Sequence, residues 1–222
     1  MRGKDKQGDW VKNFRPTHVD HRTTDYTEAN AWQYTWFVPH DVLGLIELFG
    51  GNDPFIEKLD TLFSMSSDME GSEVSPDISG LIGQYAHGNE PVHHVPYLYA
   101  YTDQKHKGEQ RIIEIRDTMY RNDVDGLAGN DDLGQMSAWY IFSAIGFYPM
   151  NPISGEYVFG TPEFQQVDIQ LENGKVFKVK KLGQQSANNP YVKRIKLNGK
   201  VISVPSLSHK DLMAGGELVF EF

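Results

Sequence analysis

Two adjacent carboxylates, Asp131 and Asp132, stand in Gly129-Asn130-Asp131-Asp132-Leu133-Gly134-Gln135, where a polar loop runs into an apolar helix around Trp139. An acid or asparagine ahead of a helix caps its free N–H groups and complements its positive end. That accounts for one acid. Two in succession, between glycines that let main chain or ligand come close, also suit acid–base chemistry. A second candidate carboxyl, Glu28, lies in Tyr26-Thr27-Glu28-Ala29-Asn30-Ala31-Trp32-Gln33-Tyr34, at an expected helix start with Trp32 and Gln33 about one turn on. Its plain reading is an acid complementing the helix dipole. Its chemical reading is a carboxyl beside an indole, where desolvation lifts the pKa toward the general-acid range. Aromatic faces next to carboxyl and amide groups also suit a sugar ring, with its apolar C–H faces and its hydroxyls.

A third cluster is Gln84-Tyr85-Ala86-His87-Gly88-Asn89-Glu90-Pro91-Val92-His93-His94. Three histidines so close together raise the question of a transition metal. However, His93 and His94 are adjacent and point apart on a helix, and no HExxH spacing occurs. Asn89 and Glu90 are hard oxygen donors on a glycine-kinked loop, a better match to calcium, and equally serviceable as capping residues before Pro91. Carboxylates on separate loops around an aromatic-lined pocket are the minimal equipment for glycoside hydrolysis. No GxSxG, P-loop or dinucleotide fingerprint is present.

The elements that must position these loops are helical up to about residue 150. The pattern predicts a helix from Asn30 to Phe49 broken at Pro39 and stopped by Gly50-Gly51, and a second opened by Asn52-Asp53-Pro54 with Phe55, Leu59, Leu62 and Phe63 on one face. Residues 66–77 read as loop. Further helices are predicted over Val95–Tyr101, Gly108–Tyr120 and Asp132–Ile145. After Gly146-Phe147-Tyr148-Pro149 the apolar period drops to two, in Val167–Leu171, Val176–Val179 and Ile195–Leu197. Asn173-Gly174 and Asn198-Gly199 mark hairpin turns, and Gly215-Gly216 precedes a last strand. The fold class expected is α+β, with a helical region 1–150 and a β-rich region 151–222.

Composition narrows the partners. The 222 residues carry 30 acids against 21 bases, a net charge of −9, which argues against a nucleic-acid backbone. There is no cysteine, so disulfides and thiolate metal sites are excluded. No apolar run is long enough to span a membrane. The N-terminus, Met1-Arg2-Gly3-Lys4-Asp5-Lys6, does not read as a signal peptide.

Tyr-Thr-Glu-Ala-Asn-Ala-Trp-Gln-Tyr-Thr-Trp-Phe-Val-Pro-His-Asp (26–41), Gly-Asn-Glu-Pro-Val-His-His (88–94) and Gly-Asn-Asp-Asp-Leu-Gly-Gln-Met-Ser-Ala-Trp-Tyr (129–140) together resemble glycoside hydrolase family 92, the calcium-dependent, inverting exo-α-mannosidases. The resemblance implies that the helical region is a portion of an (α/α)6 toroid, followed by a small antiparallel β region. It implies a mannose-containing glycan as substrate, α-1,2-linked by expectation, and a Ca2+ cofactor. By position, Glu28 matches the general acid and Asp132 the general base, with Asp131 or Asn130 beside it. Asn89 and Glu90 match the calcium loop, and Trp32, Gln33, His93 and His94 would line the sugar subsite. Members of that family are much longer and begin further upstream. The resemblance therefore also implies a missing N-terminal half of the same enzyme and a periplasmic, cell-surface or secreted location. The other expectation is an inactive remnant with at most weak sugar binding.

Overall fold

The computed structural model describes residues 1–21, 24–183, 185 and 191–222. The chain divides into two compact units, one of residues 1–95 and 119–136, the other of residues 96–118 and 137–222. These units do not follow the change of hydrophobic period near residue 150, because residues 96–118 and most of the helix before 146 group with the β-rich part.

The helices, in chain order, are α1 (Ala31–Tyr34), α2 (Val42–Leu48), α3 (Asn52–Ser64), α4 (Lys105–Met119), α5 (Gln135–Ile145) and α6 (His209–Met213), with 3-10 turns at Glu90–Val92 and Val95–Tyr101. The helix predicted across 30–49 is thus two helices parted around Pro39, as a ring lacking an N–H requires. Asn30 caps α1 through a capping box: its side chain accepts from the N–H groups of Trp32 and Gln33, and Gln33 returns a bond to the Asn30 N–H. Asp41 caps α2 by accepting from Gly44. Helix α3 buries Phe55, Ile56, Leu59, Leu62 and Phe63, the face its spacing predicted. Segment Val95–Tyr101 winds as 3-10 rather than α helix. Helix α5 starts at Gln135, three residues later than expected, so Asp132 precedes the helix.

The first unit also holds a short antiparallel hairpin of β1 (Leu81–Ile82) and β2 (Tyr85–Ala86), which carries the chain into the Asn89–Glu90 loop. The second unit contains β3 (Phe147–Asn151), β4 (Glu156–Phe159), β5 (Gln166–Gln170), β6 (Val176–Leu182), β7 (Arg194–Leu197), β8 (Lys200–Ile202), β9 (Ser206–Ser208) and β10 (Gly216–Glu221). They form a three-stranded sheet ordered β3-β4-β9 and a five-stranded sheet ordered β5-β6-β10-β7-β8. Both Asn-Gly turns fall where the sequence puts them. Leu197 pairs with Lys200 across Asn198 and Gly199, whose φ values of 49° and 80° make the two-residue turn that matches strand twist. The β region is antiparallel except where β10 lies parallel to β6. Phe147, Phe177, Leu218 and Phe220 are its fully buried centre. With helices and mainly antiparallel sheets, the fold is α+β.

Candidate active site

The expected site residues of the first unit come from three loops, and the structure puts the Glu90 carboxyl in contact with Asp132 and within electrostatic reach of Glu28. Glu90 is the meeting point. Its carboxyl is in hydrogen-bond contact with Asp132 and feels the charge of Glu28. Its pKa is raised, chiefly by burial, with the Asp132 bond and the two neighbouring charges adding to the rise and its own N–H opposing it. Asn89, 6% exposed, ties Glu28 to the same loop. Its Nδ2 donates to the Glu28 carbonyl oxygen at 3.1 Å and reaches Glu28 Oε2 at 3.5 Å, while its Oδ1 accepts from the Glu90 N–H at 3.2 Å.

Backbone geometry sets these acids apart. Glu28, Asp132 and Leu133 hold φ values of 51°, 48° and 60°, in the left-handed region that non-glycine residues avoid. Strain of this kind persists only where the surroundings enforce it, and it gathers at functional sites. The turn of Asp132 and Leu133 is closed by main-chain bonds, Gln135 N–H to the Asp132 carbonyl at 3.3 Å and Met136 N–H to the Asp131 carbonyl at 3.2 Å. The acids therefore lead into α5 through a turn, and what they present to their neighbours is carboxylate. Asn130 and Asp132 are exposed and Asp131 is half-buried. Leu133 is fully exposed beside them.

The remaining expected residues are placed as follows. Gln33 is buried, its Oε1 accepting from the Asn30 N–H at 2.8 Å and its Nε2 donating to the Gln84 carbonyl at 3.1 Å. Trp32 is half-buried, with the Lys58 ammonium 3.4 Å from its ring centroid and its Nε1 buried without a hydrogen-bond partner. His93 and His94 are buried. His93 Nε2 donates to the His87 carbonyl at 2.9 Å, and His94 Nε2 to the Trp36 carbonyl at 2.7 Å. Burial lowers both to about 4, so both rings are neutral at pH 7.

Behind these loops lies a polar framework whose bonding the sequence did not show. Gln84, fully buried, accepts from Asn30 Nδ2 at 2.8 Å through its Oε1, and donates through its Nε2 to the carbonyls of Ser66 and Asp68. His87, fully buried, stands between the hydroxyls of Tyr85 and Tyr120, at 2.8 and 2.7 Å. Burial holds its pKa well below the usual histidine value. Gln84, Tyr85 and His87 sit within the quoted motifs and Tyr120 outside them, and no periodicity or charge pattern separates a buried polar side chain from an exposed one. In the second unit, a cavity of about 480 Å3 is lined by Tyr97, Lys105, Glu109, Ile112 and Arg194 among others, and by none of the expected site residues.

The donor set at Glu90 bears on calcium. Glu90 and Asp132 are hard oxygen donors in contact, with the Glu28 charge felt at Glu90, and no lysine or arginine is ion-paired with them among the described residues. A proton shared between Glu90 and Asp132 or a divalent cation would each relieve that charge. Among the described residues no group of three or more His, Asp or Glu is placed to hold a metal ion.

Comparison with known proteins gives this arrangement a context. A model of the glycosyl hydrolase family 92 catalytic domain matches residues 1–222. A family GH92 α-mannosidase from Bacteroides thetaiotaomicron, solved in complex with mannoimidazole, is 41% identical with a TM-score of 0.89, over 100% of this chain and 29% of that one. A family GH92 inverting mannosidase from the same organism is 36% identical with a TM-score of 0.81, over 100% of this chain and 30% of that one. An uncharacterized secreted glycosidase of Arthroderma benhamiae is 30% identical over 193 residues, 86% of this chain and 23% of that protein. The chain thus spans less than a third of the length of these relatives.

Proposed function

The chain belongs to glycosyl hydrolase family 92, and from that premise we propose that it is part of an exo-α-mannosidase that cleaves terminal α-mannosidic linkages of glycans with inversion. The observation that carries the reading is the convergence of Glu28, Glu90 and Asp132 from three separate loops. In the mechanism, Glu28 gives a proton to the departing glycosidic oxygen. Asp132 takes one from the water that attacks the anomeric carbon on the opposite face. One C–O bond breaks, another forms, and the two carboxyls exchange protonation states. With the remainder of the enzyme and substrate in place, their separation belongs in the range of about 6.5–9.5 Å that leaves room for that water. Asp131 stands next to the base, and Asn130 is the exposed amide beside it.

Asn89 Oδ1 and the Glu90 carboxylate would hold Ca2+, which when bound supplies Lewis-acid and template chemistry at sugar hydroxyls. Trp32 offers an aromatic face to the ring once the Lys58 ammonium leaves it. Gln33, His93 and His94 act from behind as the rigid support of that face and of the Asn89–Glu90 loop. Linkage preference for α-1,2 and a secreted or cell-surface location belong to the same proposal. The location is supported by the name of the fungal relative. Among the described residues, no helix is long and apolar enough to cross a membrane.

The test is hydrolysis of α-1,2-mannobiose followed by proton NMR of the first anomer released, with and without chelator, for wild type, Glu28→Gln and Asp132→Asn. The expected result is β-mannose from wild type, loss on chelation with recovery on added calcium, and turnover down about 10²-fold or more in each variant. α-Mannose as first product, or full turnover in both variants, would sink the assignment. The second reading, an inactive chain with weak sugar binding, predicts mannose-induced NMR shifts near Trp32 without any turnover. The Lys58 contact on the Trp32 face is the observation that favours it.

A further inference from the structure

The assignment of Glu28 and Asp132 as acid and base, on which this inference rests, leaves open what holds the Asp132 loop against the Glu90 loop. Three contacts join them. Gly88 and Gly129 cross backbone to backbone, where a Cβ on Gly129 would stand 2.6 Å from the Gly88 carbonyl oxygen. Tyr120 Oη donates to the Met136 carbonyl at 3.0 Å in the first turn of α5. A hydroxyl has one proton, so toward His87 it can only accept, and His87 Nε2, 2.7 Å away, is the donor. The neutral His87 ring then accepts at Nδ1 from Tyr85 Oη at 2.8 Å. Likewise His93 Nε2 must donate to the His87 carbonyl, so its Nδ1 accepts from Gln135 Nε2 at 3.2 Å.

The donors therefore run in one direction, from Tyr85 through His87 and Tyr120 to the Met136 carbonyl. His93 holds Gln135, the residue before Met136. Both relays end within four residues of Asp132, at a turn whose left-handed φ values at Asp132 and Leu133 need outside support. We infer that the Tyr85–His87–Tyr120 relay and the His93–Gln135 bond form a positioning clamp, which fixes Asp132 relative to Glu90 and Glu28. Its members are positioning residues, since they act through the Asp132 turn and the main chain of the Glu90 loop.

The experiment compares wild type with Tyr120→Phe, which removes one hydroxyl and keeps the ring, and with Gln135→Leu, which removes the other arm at a half-buried position. Long-range 15N–1H NMR of the 222-residue chain should report the Nε2–H tautomer for both His87 and His93. Amide hydrogen exchange at residues 132–136 should quicken about tenfold in each variant, with α3 amides changing less than about twofold. In any length of this protein that cleaves α-mannosides, each variant should lower kcat by about tenfold with KM within about twofold. An Nδ1–H tautomer at His87, unchanged exchange at 132–136, or acceleration spread evenly over the first unit would overturn the clamp. The tautomers and the local exchange response in the variants, with no length of the protein cleaving a mannoside, would keep the clamp and overturn the hydrolase reading.

Discussion

Glu28 and Asp132 share one unusual property, a left-handed backbone under a carboxylate that meets Glu90. Asparagine is among the few side chains that tolerate this conformation, and β-branched residues are the worst fitted to it. Asp132→Asn should therefore keep the stability of the parent within about 0.5 kcal/mol in urea unfolding, while Asp132→Val should cost about 1–2 kcal/mol more. Equal stability of the two variants would show that the turn is relaxed in solution. Leu133, fully exposed at φ 60°, buries nothing that a glycine would lose. Leu133→Gly should then be neutral or stabilising by up to about 1 kcal/mol, which the same urea measurement reads. The identities of the acids were legible in the sequence, because chemistry restricts residue type. Their φ values were not, because nothing local demands them: the turn is held by bonds from Gln135 and Met136 and by contacts with a distant loop.

At the scale of elements, local signals served where the chain closes its own bonds. The Asn198-Gly199 hairpin, the stop at Gly50-Gly51 and the buried stripe of α3 depend on residues a few positions apart, and all stand as the sequence implies. Helix α1 is different. At four residues it is too short to persist alone, and its cap Asn30 is anchored by Gln84, 54 positions on. Asn30→Ala removes the cap and strands the Gln84 Oε1 in a buried place, so it should destabilise by about 2–4 kcal/mol in chemical denaturation. A loss below about 1 kcal/mol would mean that the network does not hold the Glu28 loop. The sequence points to an early start for α5 for a related reason. Acidic and glycine residues before an apolar run read as a cap, whereas here they form a separate turn ahead of Gln135.

For the whole molecule, the two units should answer pH in opposite senses. In the first, His94 is lowered by burial from 6.5 to about 4, so the unfolded chain takes up its proton first and stability falls as pH drops from about 6.5 to 4. In the second, burial raises Glu109 from 4.5 to about 7, with the Val192 N–H bond at 2.9 Å and Lys105 opposing the rise. The unfolded chain then releases that proton first, and stability falls as pH climbs from about 4.5 to 7. Each shift is worth on the order of 3 kcal/mol. Amide exchange at pH 5 and pH 7 should show α3 better protected at pH 7 and β6 better protected at pH 5. Glu109→Gln should flatten the second trend, and His94→Gln should weaken the first, the remainder coming from His87 and His93, which burial also lowers. A common pH trend in both units would refute these two assignments.

By itself the sequence determined the α+β class, the turns and the three motif loops, and with them membership of the family. Each of those is written in short-range chemistry: apolar period, turn residues, and side chains whose type a reaction dictates. Only the tertiary structure decided that Glu90 touches Asp132 and feels Glu28, that Glu28 and Asp132 sit on strained backbone, and which buried polar groups lie behind their loops. Such contacts join residues tens of positions apart, and their partners are selected by packing geometry, which no local pattern encodes.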